Sequence, residues 1–343
     1  MAKEKTPQEK DAVAEALANL QKKYGNDVVI QMDKNFDFHV EAIPTGCFSL
    51  DEALGCGGLP RGRLIEIFGK ESSGKSTLAT FLMAQIQKSG GRAALIDAEM
   101  AFDGGYAQAV GVDISKLMVS QPGSLEEGMD VLRELVNTKA FDIIVVDSVA
   151  ALVPKSEIEG DEMLKDTMAV QARLLGKALR ILAGEISKSR TVVIFINQVR
   201  DKIGVFYGAK TVTPGGRALK FFSSIRIDVS AGDKILGKGD EQIGNWLKVK
   251  MAKNKTAPPW REAEFELFYA RGIDLDGDAL DFGVKVGAIN KKGNTYTFNH
   301  YDSYDDFELG VGREKAKATI AGNKDLFNSI CTEINRILVE EKK

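Results

Sequence analysis

From Arg63 onward, short apolar runs alternate with longer segments whose apolar residues recur at helical spacing. The runs Leu64–Phe68, Ala93–Asp97, Leu117–Ser120, Ile143–Asp147 and Val192–Asn197 carry almost no polar interruption, which predicts strands of a mostly parallel sheet covered on both faces. After Arg226 the pattern changes. Ile225–Val229, Trp246–Met251 and Glu264–Tyr269 read as antiparallel strands, and beyond Gly272 the chain becomes more polar. There Lys292-Gly293-Asn294 marks a hairpin turn and residues 324 to 340 form an amphipathic helix. The predicted architecture is an α/β core with a small α+β domain after it.

Ahead of the core, residues 6 to 25 predict one further helix. Thr6 can cap it, Pro7 suits its first position, Glu9 completes a capping box and Gly25 can end it. Val13, Leu17, Leu20 and Tyr24 share one stripe of that helix, and a helix this short needs to bury such a stripe on its own body or on a neighbouring subunit. The expected division is residues 1–35 for helix and linker, 36–272 for the core and 273–343 for the C-terminal domain.

With 44% apolar residues, the chain can bury a large core, but its formal charge of -3 gives no global basic signature. Any nucleic-acid surface must then be local. Cys47, Cys56 and Cys331 are too few and scattered for a disulfide framework or a zinc site, which fits a reducing compartment. His39 and His300 are the only histidines and stand far apart, so a Ser-His-Asp triad or a histidine metal cluster lacks material. The polar start and the lack of any run of about eighteen apolar residues predict a cytoplasmic protein with no membrane partner.

The chemistry concentrates at the predicted strand ends. Gly69-Lys70-Glu71-Ser72-Ser73-Gly74-Lys75-Ser76 matches the G-x-x-x-x-G-K-[ST] phosphate loop, between an apolar strand and a helix beginning near Lys75. Its glycines let backbone amides wrap phosphates, Lys75 reaches the terminal phosphates, Ser76 can ligate Mg²⁺, and Thr77 continues the loop into the helix. Asp147 closes the strand Ile143–Asp147, where a carboxylate can hold a magnesium-bound water. Glu99, just beyond Ala93–Asp97, is the candidate general base, with Asp97 as its local rival. Gln198 follows another strand and opens a Gly-containing segment of the kind a γ-phosphate can order.

That segment is basic in an acidic protein. Between Val199 and Arg226 lie Arg200, Lys202, Lys210, Arg217, Lys220 and Arg226 against the single acid Asp201. With Gly204, Gly208, Gly215 and Gly216 for flexibility, and Phe206 and Tyr207 for stacking, it suits contact along a single-stranded nucleic acid.

Taken together the residues resemble the RecA family of recombinases from about residue 40 to the C-terminal domain. The resemblance is carried by Pro44-Thr45-Gly46, Gly57-Gly58-Leu59-Pro60, the phosphate loop, Ile96-Asp97-Ala98-Glu99, Val145 to Leu152, Glu157-Ile158-Glu159-Gly160, Phe195-Ile196-Asn197-Gln198 and Lys253-Asn254-Lys255. It implies a RecA-like P-loop ATPase core, an N-terminal polymerisation helix and a small C-terminal domain that gathers DNA. It implies a DNA-dependent ATPase that uses ATP and Mg²⁺, assembles with itself into a helical filament on single-stranded DNA, and exchanges strands with double-stranded DNA. A self-cleaving SOS repressor is a further implied partner.

By the same resemblance Glu99 is the catalytic glutamate and Gln198 the γ-phosphate sensor. Asp103 and Tyr106 match adenine contacts, and Lys253 and Lys255 match lysines that reach a neighbour's ATP. Two DNA loops correspond to residues 160–168 and 199–214. Arg173, Arg180, Arg200, Lys202, Gly215 and Gly216 are then strand contacts, and Ile203 is a wedge between base triplets. Phe221 and the stripe of Val13, Leu17 and Leu20 match interface residues. Departures from the family pattern stand at Lys70, Ser76, Met100, Gly176 and Arg217, and the first DNA loop carries different side chains. A ring-shaped motor on the same core shares the phosphate loop and Asp147, whereas Lys253-Asn254-Lys255 and the N-terminal helix favour the recombinase.

Overall fold

The computed structural model describes residues 7–25, 29, 40–160, 168–201, 211–299 and 307–340, and its compact units are 1–39 and 40–343. In the first, helix α1 (Pro7–Tyr24) closes on Gly25, whose φ of 96° lets its N–H reach the carbonyl of Gln21. Val13, Leu20 and Tyr24 are exposed and Leu17 is half-buried.

The second unit is built on a sheet whose strands are β1 (Leu64–Gly69), β2 (Ala93–Asp97), β3 (Met118–Ser120), β4 (Ile143–Asp147), β5 (Val192–Gln198), β6 (Ile225–Leu236), β7 (Gln242–Asn254), β8 (Glu262–Phe268) and β9 (Gly272–Ile273). Their spatial order is β9-β8-β7-β6-β1-β5-β4-β2-β3. The pairs from β6 through β1 to β3 are parallel, and those from β6 to β9 antiparallel. Both halves of the predicted pattern thus share one sheet.

The two-residue period of a strand sends alternate side chains to two separate cores. On one face Ile65, Ile67, Leu95, Val145, Ile194 and Ile196 meet Leu78, Phe81 and Leu82 of α3 (Lys75–Lys88), together with α2 (Phe48–Leu54). On the other, Leu64, Ala94, Ile144, Val146, Val193 and Phe195 meet α5 (Leu125–Thr138), α6 (Met168–Ser189) and Leu219 of α7 (Ala218–Phe222). Between α3 and α5 lies α4 (Gly104–Val110). Burial on both faces is why these strands read as unbroken apolar runs.

The C-terminal part has its own core around α8 (Leu275–Val286), the hairpin β10 (Ile289–Lys292) and β11 (Thr295–Phe298), β12 (Phe307–Val311), α9 (Arg313–Ala321) and α10 (Lys324–Glu340). Gly293, at φ 60°, makes the predicted turn. This module docks on the main sheet by polar contacts. The buried Asp278 carboxylate accepts from the backbone N–H of Phe48 (2.6 Å) and Ser49 (3.3 Å) at the start of α2, and the Phe48 and Phe282 rings stack at 5.6 Å. Buried Glu266 of β8 is held by Arg313 (3.1 Å) and by Lys317 (2.7 Å), which also pairs with Asp274 (3.1 Å).

Candidate functional site: a phosphate cradle at the strand ends

Parallel strands bring their C-terminal ends to one sheet edge, where chemistry can be assembled from distant residues. Here Gly69 at the end of β1 pairs with Gln198 at the end of β5, and Asp97 of β2 pairs with Asp147 of β4. Phosphate loop, sensor candidate, metal candidate and base candidate therefore come to one edge.

The loop itself needs its glycines. A Cβ on Gly69 would lie 2.1 Å from the Val229 carbonyl oxygen, and one on Gly74, at φ 91°, would lie 2.7 Å from Leu247 Cδ1. Gly74 immediately precedes α3, so the free amides of that helix face the cradle. The Ser73 hydroxyl is buried with no hydrogen-bond partner among the described residues. Such a donor beside a helix N-terminus fits an anionic ligand. Lys75 is buried, its Nζ donating to the Lys70 carbonyl at 2.6 Å. Burial lowers its pKa against the opposing pull of Asp147, Glu99 and Glu71.

Ser76 and Asp147 line one cavity, and burial pushes the Asp147 carboxyl up to about 6 against the opposing influence of the Ser76 hydroxyl. A hydroxyl and a carboxylate converging beside a phosphate cradle form the oxygen donor set that Mg²⁺ takes. Thr77 and Tyr106 line the same cavity of about 160 Å³, with Glu99, Phe102, Asp103 and Asp147 on its walls. Tyr106 Oη donates to Thr77 Oγ1 at 3.1 Å, while Asp103 caps α4 by accepting from the Tyr106 N–H at 3.0 Å.

The two acidic rivals occupy different settings. Asp97 is buried and accepts from the N–H groups of Ala101 and Phe102 and from Gln121 Nε2 at 2.9 Å, so it fixes the turn. Glu99 is exposed at the cavity wall, its Oε1 taking a 2.5 Å hydrogen bond from the buried Ser148 hydroxyl. Ser148 was visible in the sequence only as part of a motif. Tyr269 and Asn245, which line a second cavity of about 360 Å³ on the other flank of residues Ser72 to Thr77, gave no local signal, because β7 and β8 reach the loop only through the fold.

Lys253 and Lys255 lie at the other end of the strands. The Lys255 N–H bonds the carbonyl of Ser224, whose own N–H bonds Leu64, the first residue of β1. Five residues of strand, about 16 Å, separate Leu64 from Gly69. Lys253 Nζ donates to the carbonyls of Lys220 (2.5 Å) and Phe221 (3.1 Å), and the Phe221 ring is 68% exposed beside it. Burial, followed by the charges of Lys255 and Arg226, lowers the Lys253 pKa.

Of the expected DNA contacts, Arg173 and Arg180 are exposed on α6, and Arg200 opens a short pairing with Thr211–Val212. Gly215 and Gly216 both have positive φ, 77° and 70°. Lys202 and Ile203 lie outside the described residues, as does most of the first expected loop, and so do the side chains of the N-terminal capping box. Arg226 differs from its expected setting: its guanidinium bonds buried Glu66 at 2.5 Å and covers the Phe68 ring at 4.2 Å.

The model of the RecA N-terminal domain matches residues 11–274, and that of the RecA C-terminal domain matches 277–338. The chain belongs to the RecA family. Curated relatives named Protein RecA are similar along nearly its whole length. That of Clostridium tetani is 50% identical, with 93% of this chain and 89% of the relative covered. That of Bacillus subtilis is 46% identical over 93% and 90%, and that of Chlorobaculum tepidum 47% identical over 98% of each. As a RecA family member the protein is a DNA-dependent ATPase that acts in recombination and repair, binds ATP and DNA, and associates with itself. No helix among the described residues is long and apolar enough to cross a membrane.

Proposed function

We propose that ATP binds in the cradle between Gly69 and Thr77, and that its hydrolysis controls the hold of a helical filament on single-stranded DNA. The observation that carries this reading is the convergence of Gly69, Gln198, Asp147 and Glu99 at one sheet edge. The loop amides and Ser73 hold the phosphates, Lys75 neutralises the terminal ones, and Asp103 and Tyr106 bound the base. Ser76 and Asp147 would hold Mg²⁺, which supplies charge neutralisation of the phosphate oxygens. Glu99 takes the proton of the attacking water, and Gln198 contacts the γ-phosphate.

The placement of Lys255 about 16 Å and of Lys253 about 10 Å along the strands from the level of their own loop supports their service to a neighbour's nucleotide. Phe221, beside them, and the stripe of Val13, Leu17 and Leu20 join successive subunits. Arg173, Arg180, Arg200, Lys202, Ile203, Gly215 and Gly216 serve the bound strand, whereas Arg226, engaged by Glu66, is left out of that set. Strand exchange with duplex DNA, a cytoplasmic setting and a self-cleaving SOS repressor as a partner of the filament complete the reading.

The test is ATP turnover with and without single-stranded DNA in the wild type and in Glu99→Gln. Strong stimulation in the wild type, and turnover lowered by at least about 100-fold in the variant with ATP binding retained, is the expected result. Unchanged turnover in Glu99→Gln would remove the assignment of the base.

A further inference from the structure

The buried polar groups at the centre of the sheet lie outside the nucleotide cleft and take no part in hydrolysis as derived above. Glu66 and Asn197 are wholly buried on adjacent strands, diagonal to one another, Glu66 three residues before Gly69 and Asn197 one residue before Gln198, the ends that form the site. Burying a carboxylate is costly unless it is paired and hydrogen-bonded. Glu66 meets that condition with two partners: Oε2 takes the Arg226 guanidinium at 2.5 Å, and Oε1 takes Asn197 Nδ2 at 3.0 Å.

Asn197 uses the rest of its amide to join two segments. Its Nδ2 also donates to the Pro214 carbonyl at 3.1 Å, and its Oδ1 accepts from the Gln198 N–H at 3.0 Å. Pro214 is where the basic segment that leaves the sheet after Gln198 returns to it. Thr213, Pro214 and Gly215 are buried there, and a Cβ on Gly215 would lie 2.7 Å from Leu175 Cδ2. One side chain therefore fixes both the residue that begins the segment and the residue that ends it. The anchor below it is charged and rigid, and Arg226 presses on Phe68, the residue before Gly69.

We propose that Asn197, anchored by the Glu66–Arg226 pair, is a positioning residue that transmits the state of Gln198 to Pro214 and so couples the γ-phosphate to strand binding. The inference rests on the reading of residues 199–214 as a DNA-contacting segment. A shift of the Gln198 backbone must either carry Pro214 with it or break a buried hydrogen bond, and leaving an amide unpaired in a dry interior is costly. Arg226 acts through Glu66, not through contact with DNA.

The experiment compares the affinity of an oligothymidylate for the full chain in ADP and in a non-hydrolysable ATP analogue, for the wild type and Asn197→Ala. The ratio of the two affinities reports coupling. The variant is expected to lower that ratio by about tenfold while binding of the analogue without DNA stays within about twofold. Should Asn197→Ala fail to fold, Glu66→Gln with Arg226→Gln removes both charges together and is expected to lower the ratio in the same way. A wild-type ratio in a folded variant overturns the proposal, and so does analogue binding that falls in step with the ratio, which marks a merely structural role. Arg200→Ala tests the segment separately: it weakens strand binding in both nucleotide states, and failure to do so counts against the segment's assignment instead of against Asn197.

Discussion

The Ser148 hydroxyl donates to Glu99 Oε1 across 2.5 Å, and Ser148 is buried while Glu99 is exposed. The carboxylate proposed as the base, on a surface loop, is thus aimed by a buried group. Ser148→Ala should lower the ATP turnover number by about tenfold with little change in nucleotide affinity, since only orientation is lost. Steady-state kinetics beside a nucleotide titration checks the split, and an unchanged turnover number would show that Glu99 needs no such support.

Gly74 holds a backbone conformation that side chains rarely adopt, with Leu247 against it. Gly74→Ala should weaken ATP binding by 1–3 kcal/mol through the strained φ alone, about 5- to 150-fold. Calorimetric titration with an ATP analogue measures it. Gly25→Ala, also at positive φ but with nothing within 4 Å of the new Cβ, is the control for general backbone strain.

If Lys253 and Lys255 serve a neighbour's nucleotide, two dead variants should repair each other. Lys75→Ala alone and Lys253→Ala with Lys255→Ala are each expected to be inactive. Mixed in equal amounts they should regain about a quarter of wild-type hydrolysis, because random head-to-tail order leaves that share of interfaces with both halves intact. A mixture as inactive as its components would place the lysines in the same subunit's site or in folding.

Burial pushes the Asp51 carboxyl from 3.8 to about 7, although its side chain takes the Thr45 N–H at 3.0 Å. A folded pKa above the unfolded one means that the folded state binds the proton more tightly. The stabilisation is full below about pH 4 and is lost as pH rises through 7, which amounts to roughly 4 kcal/mol by pH 8. Asp278, nearby and also raised by burial, acts in the same direction. The melting temperature should therefore fall from pH 6 to pH 8, and Asp51→Asn should flatten much of that slope.

Lys317 is buried between Glu266 and Asp274. Lys317→Met keeps the volume but leaves two buried carboxylates short of a cation, a loss of roughly 3 kcal/mol in denaturant unfolding. Adding Glu266→Gln should recover part of it, whereas additive losses would mean that the pair does not interact.

The legible parts of the molecule were those that the chain states locally. Leu64–Phe68 and Ile143–Asp147 declare themselves because both strand faces are buried, and Gly69 to Ser76 because phosphate binding needs consecutive residues. Glu99 already stood ahead of its rival Asp97 in the sequence, but that Asp97 is committed to the Phe102 turn could be seen only in the fold. The long hairpin of β6 and β7 runs well past the predicted Ile225–Val229 and Trp246–Met251. Its outer half alternates exposed polar residues and slips register between Ala231 and Lys234, so no apolar run marks it. Arg226 was read by its neighbours in sequence as one more cation of a basic segment. Its partner Glu66 lies 160 residues earlier, and only the parallel pairing of β1 with β6 brings them together.

The two ends of β1 have unlike tasks in this reading, the phosphate loop at one and the neighbour-serving lysines at the other. Stacking such units in one direction makes an oriented polymer whose tips differ. One tip displays a charged cradle awaiting its lysines, the other displays lysines with no cradle to serve, and n subunits complete n − 1 catalytic centres. A terminal subunit of the first kind retains its triphosphate while its interior neighbours turn theirs over, so growth and loss proceed at different rates at the two tips, and the polymer has a direction before any DNA polarity is considered.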